Sequence, residues 1–120
     1  MTAQRDYYVE ARLERDRARS EERQLLQQIA ADEKSTPEAR ADAQWRLMEL
    51  MRRAAREREA ESLIRAKGFP DSVVFLNERG AVVVARARSL NPADAAKIAD
   101  ATSAATGVSF SQVRIIPYDR

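Results

Sequence analysis

The sequence predicts an α+β fold, with long N-terminal helices followed by a small αββαβ module built on a three-stranded sheet. Three observations predict it. No Pro or Gly interrupts the chain from Asp6 to about Asp32, where Ala, Arg, Glu, Leu and Gln dominate. Two β-branched runs, Ser72-Val-Val-Phe-Leu-Asn77 and Ala81-Val-Val-Val-Ala-Arg86, are joined by Glu78-Arg79-Gly80. A small-residue helical segment and a Val-Arg-Ile-Ile run then follow.

The first helix is thinly apolar at its start (Tyr7, Tyr8, Val9, Leu13) and denser at Leu25, Leu26 and Ile29. Its middle, Glu14 to Arg23, offers almost nothing to bury. Pairs such as Asp16 with Arg12 and Arg19, or Glu14 with Arg17, each contribute only a few tenths of a kcal/mol. The expectation is a solvated helix whose C-terminal end docks. Lys34-Ser-Thr-Pro-Glu38 restarts the chain, with Ser35 and Glu38 spaced as a capping box and Pro37 in the first turn. The second helix then runs to Lys67, where Gly68 and Pro70 stop it. Its apolar stripe is Ala43, Leu47, Leu50, Met51 and Ala54, continuing to Arg58, Leu63 and Ile64. Its length suggests a bend or break near Arg52–Arg56. Trp45 and Met48 lie off the stripe.

The hairpin strands are apolar on both faces, so either helices cover both or one face is kept for another protein. Asn91 and Pro92 open the third helix as N-cap and N1 residue, and Gly107 closes it. A last strand spans Ser111 to Pro117, where Pro suits a strand end. Residues 1–34 read as a charged helical arm and 35–120 as the domain.

The chain has 120 residues, with 21 Lys+Arg against 19 Asp+Glu, so its pI of 9.3 rests on a net charge of only +2. That balance does not suit a strong phosphate binder. With no Cys and no His, disulfides, thiolate and imidazole catalysis and the usual zinc sites fall away. The carboxylates Glu10, Glu14, Glu57, Glu59 and Glu61 fall on charged helix faces, where solvation explains them. Gly68, Gly80 and Gly107 are isolated, so no phosphate loop exists. Non-enzymatic work is expected, with no cofactor and no metal. No apolar run reaches the ~20 residues of a membrane span. The Met1-Thr-Ala-Gln start has the look of a trimmed chain, from which an upstream anchor could have been removed.

The helix–strand–strand–helix–strand order overlaps RNA-binding topologies, and a small RNA-binding αββαβ module is the alternative reading. Only Phe75 supplies a strand aromatic, and no Gly-x-x-Gly clamp is present. Protein contact fits better.

The residues Tyr8-(x)3-Arg12-(x)6-Arg19-Ser20-(x)2-Arg23-(x)-Leu25 resemble the soluble domain of the stage III sporulation protein AH family. So do Ala39-Arg-Ala-Asp-Ala43, Leu47-Met-Glu-Leu50 and Glu59-Ala-Glu-Ser-Leu-Ile-Arg-Ala-Lys-Gly-Phe69, in that order. The resemblance implies the ring-building-motif fold of flagellar and type III secretion rings. It implies a full-length protein anchored in the mother-cell membrane around the forespore, its soluble domain in the intermembrane space. The partner would be stage II sporulation protein Q, with self-association into a ring and a conduit between the cells as the outcome. No nucleic acid is expected. Candidate contact residues are Tyr8, Arg12, Arg19 and Arg23 on the first helix, and Phe75, Arg79 and Val83 on the hairpin.

Overall fold

The computed structural model describes residues 6–120, and the Met1-Thr-Ala-Gln start lies outside them. Helix α1 spans Tyr7–Ala31 and α2 Pro37–Ala66. Strands β1 (Ser72–Asn77) and β2 (Gly80–Ala85) form the hairpin. Helix α3 (Pro92–Thr106), a short 3-10 turn (Phe110–Gln112) and β3 (Val113–Pro117) complete the chain. The sheet order is β1-β2-β3, antiparallel between β1 and β2 and parallel between β2 and β3. The return to a parallel β3 passes through α3, the crossover that a parallel pairing requires.

Local chemistry sets the boundaries. Asp6 caps α1, its Oδ1 accepting from Tyr8 N at 2.8 Å. The cap of α2 is Thr36, whose hydroxyl accepts from Ala39 N at 3.1 Å, rather than Ser35. Pro37 is the reason: its fixed φ makes it the first helical residue, so the residue before it becomes the cap. Helix α2 runs unbroken through Arg52–Arg56. Asn91 caps α3, and Gly107 ends it in the left-handed region at φ 77°. The hairpin turn is tighter than the sequence suggests. Gly80 already pairs with Asn77, and Asn77 Oδ1 accepts from Arg79 N at 2.8 Å and Gly80 N at 3.1 Å. The last strand is correspondingly shorter, because Phe110–Gln112 coil into the 3-10 turn.

The main core lies between one sheet face and helices α2 and α3. It joins Ala60 and Ile64 to Val74, Val83, Ala85, Ile98 and Ala101. A second cluster on the opposite face holds Tyr8, Val73 and Val84, with Tyr7, Ala11 and Phe75 against it. The inner side of α2 is Ala43, Leu50, Glu57, Ala60, Glu61 and Ile64, so Met51 of the expected stripe is exposed. Helix α1 docks by the end opposite to the expected one: Tyr8 and Arg15 are buried, whereas Leu25 and Ile29 are exposed. The charged middle of α1 docks because its charges are answered inside the fold.

Candidate functional site

A three-stranded sheet has two edges, and they are treated differently. In the β1–β2 register, Val73, Phe75 and Asn77 turn their amides and carbonyls to β2. Ser72, Val74 and Leu76 turn theirs outward, toward α1 and α2. There four side chains meet them. Glu61 Oε2 accepts from Val74 N at 2.9 Å, and Glu57 Oε2 accepts from Leu76 N at 2.8 Å. Arg15 Nη1 donates to the Val74 carbonyl at 2.7 Å, and Arg12 Nη2 to the Ser72 carbonyl at 2.9 Å. The side chains of two helices thus stand in for a neighbouring strand.

The same side chains neutralise one another. Arg15 Nη1 lies 2.6 Å from Glu61 Oε2, and Arg19 grips both oxygens of Glu57, at 2.7 and 2.8 Å. Glu57 and Glu61 were expected on solvated faces, yet both are buried, as is Arg15. Buried charge is tolerated when it is paired and its remaining lone pairs are hydrogen-bonded. Among the described residues no buried side-chain nitrogen or oxygen lacks a partner. The paired carboxylates hold the Arg15 guanidinium charged: burial lowers its pKa, but Glu61 and Glu57 raise it further, for a net rise.

The sheet face away from α2 and α3 is covered only at one end. Tyr8, fully buried, sits over Val73 and Val84, and its Oη donates to the Tyr118 carbonyl at 2.6 Å. Tyr7 meets Tyr118 edge-on at 4.6 Å between centroids, and Arg86 lies 4.7 Å over the Tyr8 ring. Arg86 also bridges Asp6 and Asp71, fastening the start of α1 to the strand ends. Burial pushes the Tyr8 phenol up to about 12, against the downward pull of Arg86.

Beyond that cap the face is open. Phe75, Val82 and Arg114 form one cross-sheet row, with Ile116 beside Val84 in the next. Ile116 is exposed, and Phe75 and Val82 are half-buried. The Arg79 and Arg114 side chains are exposed and make no hydrogen bond or ion pair among the described residues. They flank a hollow of about 490 Å³ that also reaches Asn77 and Gln112. Gly80 lets the hairpin lie this close to the last strand: a Cβ there would stand 2.2 Å from the Gln112 carbonyl oxygen, and its φ is +147°.

Comparison with known proteins bears on this architecture. The profile of the family described as SpoIIIAH-like protein matches residues 1–115. The chain belongs to the SpoIIIAH-like family. Its fold is that of a chain in the solved "Structure of the SpoIIQ-SpoIIIAH pore forming complex", with a TM-score of 0.78 at 22% identity, covering 95% of this chain and 100% of that one. A search of the curated proteins found no match.

The residues singled out from the SpoIIIAH-like pattern separate in three dimensions. Arg12 and Arg19 belong to the seal on β1 and face inward. Arg23 is exposed, with a hydrogen bond to Ser20 Oγ at 3.3 Å. Tyr8 and Val83 are fully buried, Tyr8 under the α1 cap and Val83 in the main core, so neither presents a surface to a partner. Alternation explains Val83: its neighbours Val82 and Val84 point to the other face. Phe75 and Arg79 do lie on the open face. Arg114 and Ile116 join them, through a β2–β3 pairing that the sequence order did not specify. Among the described residues, no three His, Cys, Asp or Glu side chains gather as a metal site. Nor, among the described residues, is any helix long and apolar enough to cross a membrane.

Proposed function

We propose that this chain is a non-enzymatic interaction domain of a sporulation channel, the conduit between mother cell and forespore, and that it binds SpoIIQ. The observation that carries the reading is the half-covered sheet: an apolar face with two unpaired arginines at its rim, in a member of the SpoIIIAH-like family. Apolar surface rimmed by unpaired charge is the usual make-up of a protein contact. The related solved complex joins SpoIIQ to SpoIIIAH, which points to the same partner for this chain. The domain would work in the intermembrane space, held to the mother-cell membrane by an upstream anchor, and would take part in a ring.

Calorimetry of the chain with the soluble domain of SpoIIQ from the same bacterium tests the reading. A saturable complex is expected, weakened when Arg79 and Arg114 are reversed to Glu. No heat and no complex by gel filtration at tens of micromolar would sink it. A salt-sensitive complex with single-stranded RNA in its place would favour the RNA-binding alternative.

A further inference from the structure

Helix α2 carries a second stripe, on the side away from the fold. Its inner residues Ala43, Leu50, Glu57 and Ile64 are buried, and about half a turn around from them lie Ala41, Trp45, Met48, Arg52 and Ala55. All five are exposed, Trp45 by 61% and Met48 by 53%, and Met51 flanks them at 65%. They recur at steps of four, three, four and three residues, the spacing of a helix–helix seam. Arg52 holds Glu49 of the preceding turn at 3.1 Å and lies along the stripe. Neither the seal on β1 nor the open sheet face uses these side chains.

We infer that this stripe packs against the same stripe of a second copy, as an antiparallel two-fold helix pair. Self-complementarity selects that occupant. The steps of three, four and three residues through Trp45, Met48, Arg52 and Ala55 are the same in both directions. Two antiparallel copies therefore set Trp45 opposite Ala55 and Met48 opposite Arg52, each twice. The large ring meets a small side chain. The arginine stem covers the thioether and brings its guanidinium beside the indole. On the flank Asp42 comes opposite Arg56, which is exposed and makes no hydrogen bond or ion pair among the described residues. A parallel pair would instead set Arg52 against Arg52. A lipid surface asks for a cationic border, whereas Asp42, Glu49 and Glu59 stand among the arginines here. One helix pair falls short of the ~1,200 Å² of a stable interface, so the dimer is weak, with a dissociation constant on the order of 0.1 mM. Copies tethered to one membrane would meet at the ~mM effective concentrations at which such a contact fills. An isologous contact closes at two, so it joins copies in pairs and leaves any ring to another face.

The pairing does not depend on SpoIIQ and is tested on the chain alone. Sedimentation equilibrium at concentrations up to about 1 mM should show a monomer–dimer equilibrium. Trp45→Ala should weaken the dimer at least about tenfold, because Ala55 then faces no ring. Ala55→Trp should weaken it as well, by crowding two indoles into one layer. Mixed in equal amounts, the two variants should pair with each other and recover the original constant to within about threefold, since every indole then faces an alanine. Both sites are exposed, so each variant should unfold at unchanged urea. Monomer at every concentration overturns the pairing. A dimer indifferent to Trp45→Ala overturns the face, and a mixture that fails to recover overturns the antiparallel register. Binding to phosphatidylglycerol vesicles that is lost in Trp45→Ala would assign the stripe to a lipid surface and overturn the second copy as its occupant.

Discussion

Glu61 stands beside Val74 where the backbone of a fourth strand would stand. One carboxylate oxygen accepts the Val74 amide at 2.9 Å and the Arg15 guanidinium at 2.6 Å, while Arg15 returns a bond to the Val74 carbonyl at 2.7 Å. The closed circuit ties α1, α2 and β1 together through groups that share their charge.

Breaking that circuit should be costly. Glu61→Ala leaves Arg15 buried beside an orphaned Val74 amide, and a loss of about 3–5 kcal/mol in urea unfolding is expected. Combined with Arg15→Ala the effects should be non-additive, with a coupling of about 1–3 kcal/mol. Additive losses would mean that the two side chains act independently.

Two glycines with positive φ should respond unequally to alanine. At Gly107 (φ +77°) nothing lies within 4 Å of an added Cβ, and a loss of about 1 kcal/mol is expected from backbone strain alone. At Gly80 the Cβ would also strike the Gln112 carbonyl, so Gly80→Ala should cost about 2–4 kcal/mol and loosen the β2–β3 pairing. Equal thermal shifts for the two variants would contradict the close approach.

Alkaline pH should weaken the cap on the open face. The folded Tyr8 phenol keeps its proton up to about 12, whereas an unfolded one releases it near 10.0. Between those values the unfolded state binds fewer protons, so stability falls as pH rises through the window. Tyr8→Phe removes the bond to the Tyr118 carbonyl, at a cost of about 1 kcal/mol at neutral pH, and should flatten the alkaline slope. A slope unchanged in Tyr8→Phe would assign it to another group.

Hairpin and sheet substitutions should divide by face. Val83→Ala, in the main core, should lower stability by about 2–3 kcal/mol and leave the affinity of the folded chain for its partner unaltered. Arg79→Glu and Arg114→Glu should do the reverse, changing stability by no more than about 0.5 kcal/mol and weakening the complex about tenfold. Paired measurements of unfolding and calorimetric affinity separate the two classes.

Much of this was legible in the chain. Caps and breakers placed the ends of α2 and α3 to within a residue or two, because Pro37, Asn91, Gly68 and Gly107 act through their own backbone chemistry. The docked side of α1 was legible in spacing but hidden by residue type. Tyr8, Arg12, Arg15 and Arg19 keep the alternating four- and three-residue steps of a packed seam. Ala43, Leu50, Glu57 and Ile64 step by seven on α2. Reading charge as solvation disguised both stripes, since each charge looks exposed until its partner is in view.

By itself the sequence determined the element order, the α+β class and the family, all of which rest on local propensity, punctuation and the linear order of segments. Tertiary structure decided which charges are buried, which sheet edge is closed and which face is open. Those outcomes depend on pairings such as Arg19 with Glu57 and Val82 with Arg114, between residues 38 and 32 positions apart. Desolvating a charge is unfavourable until the opposite charge arrives, and no single segment carries both.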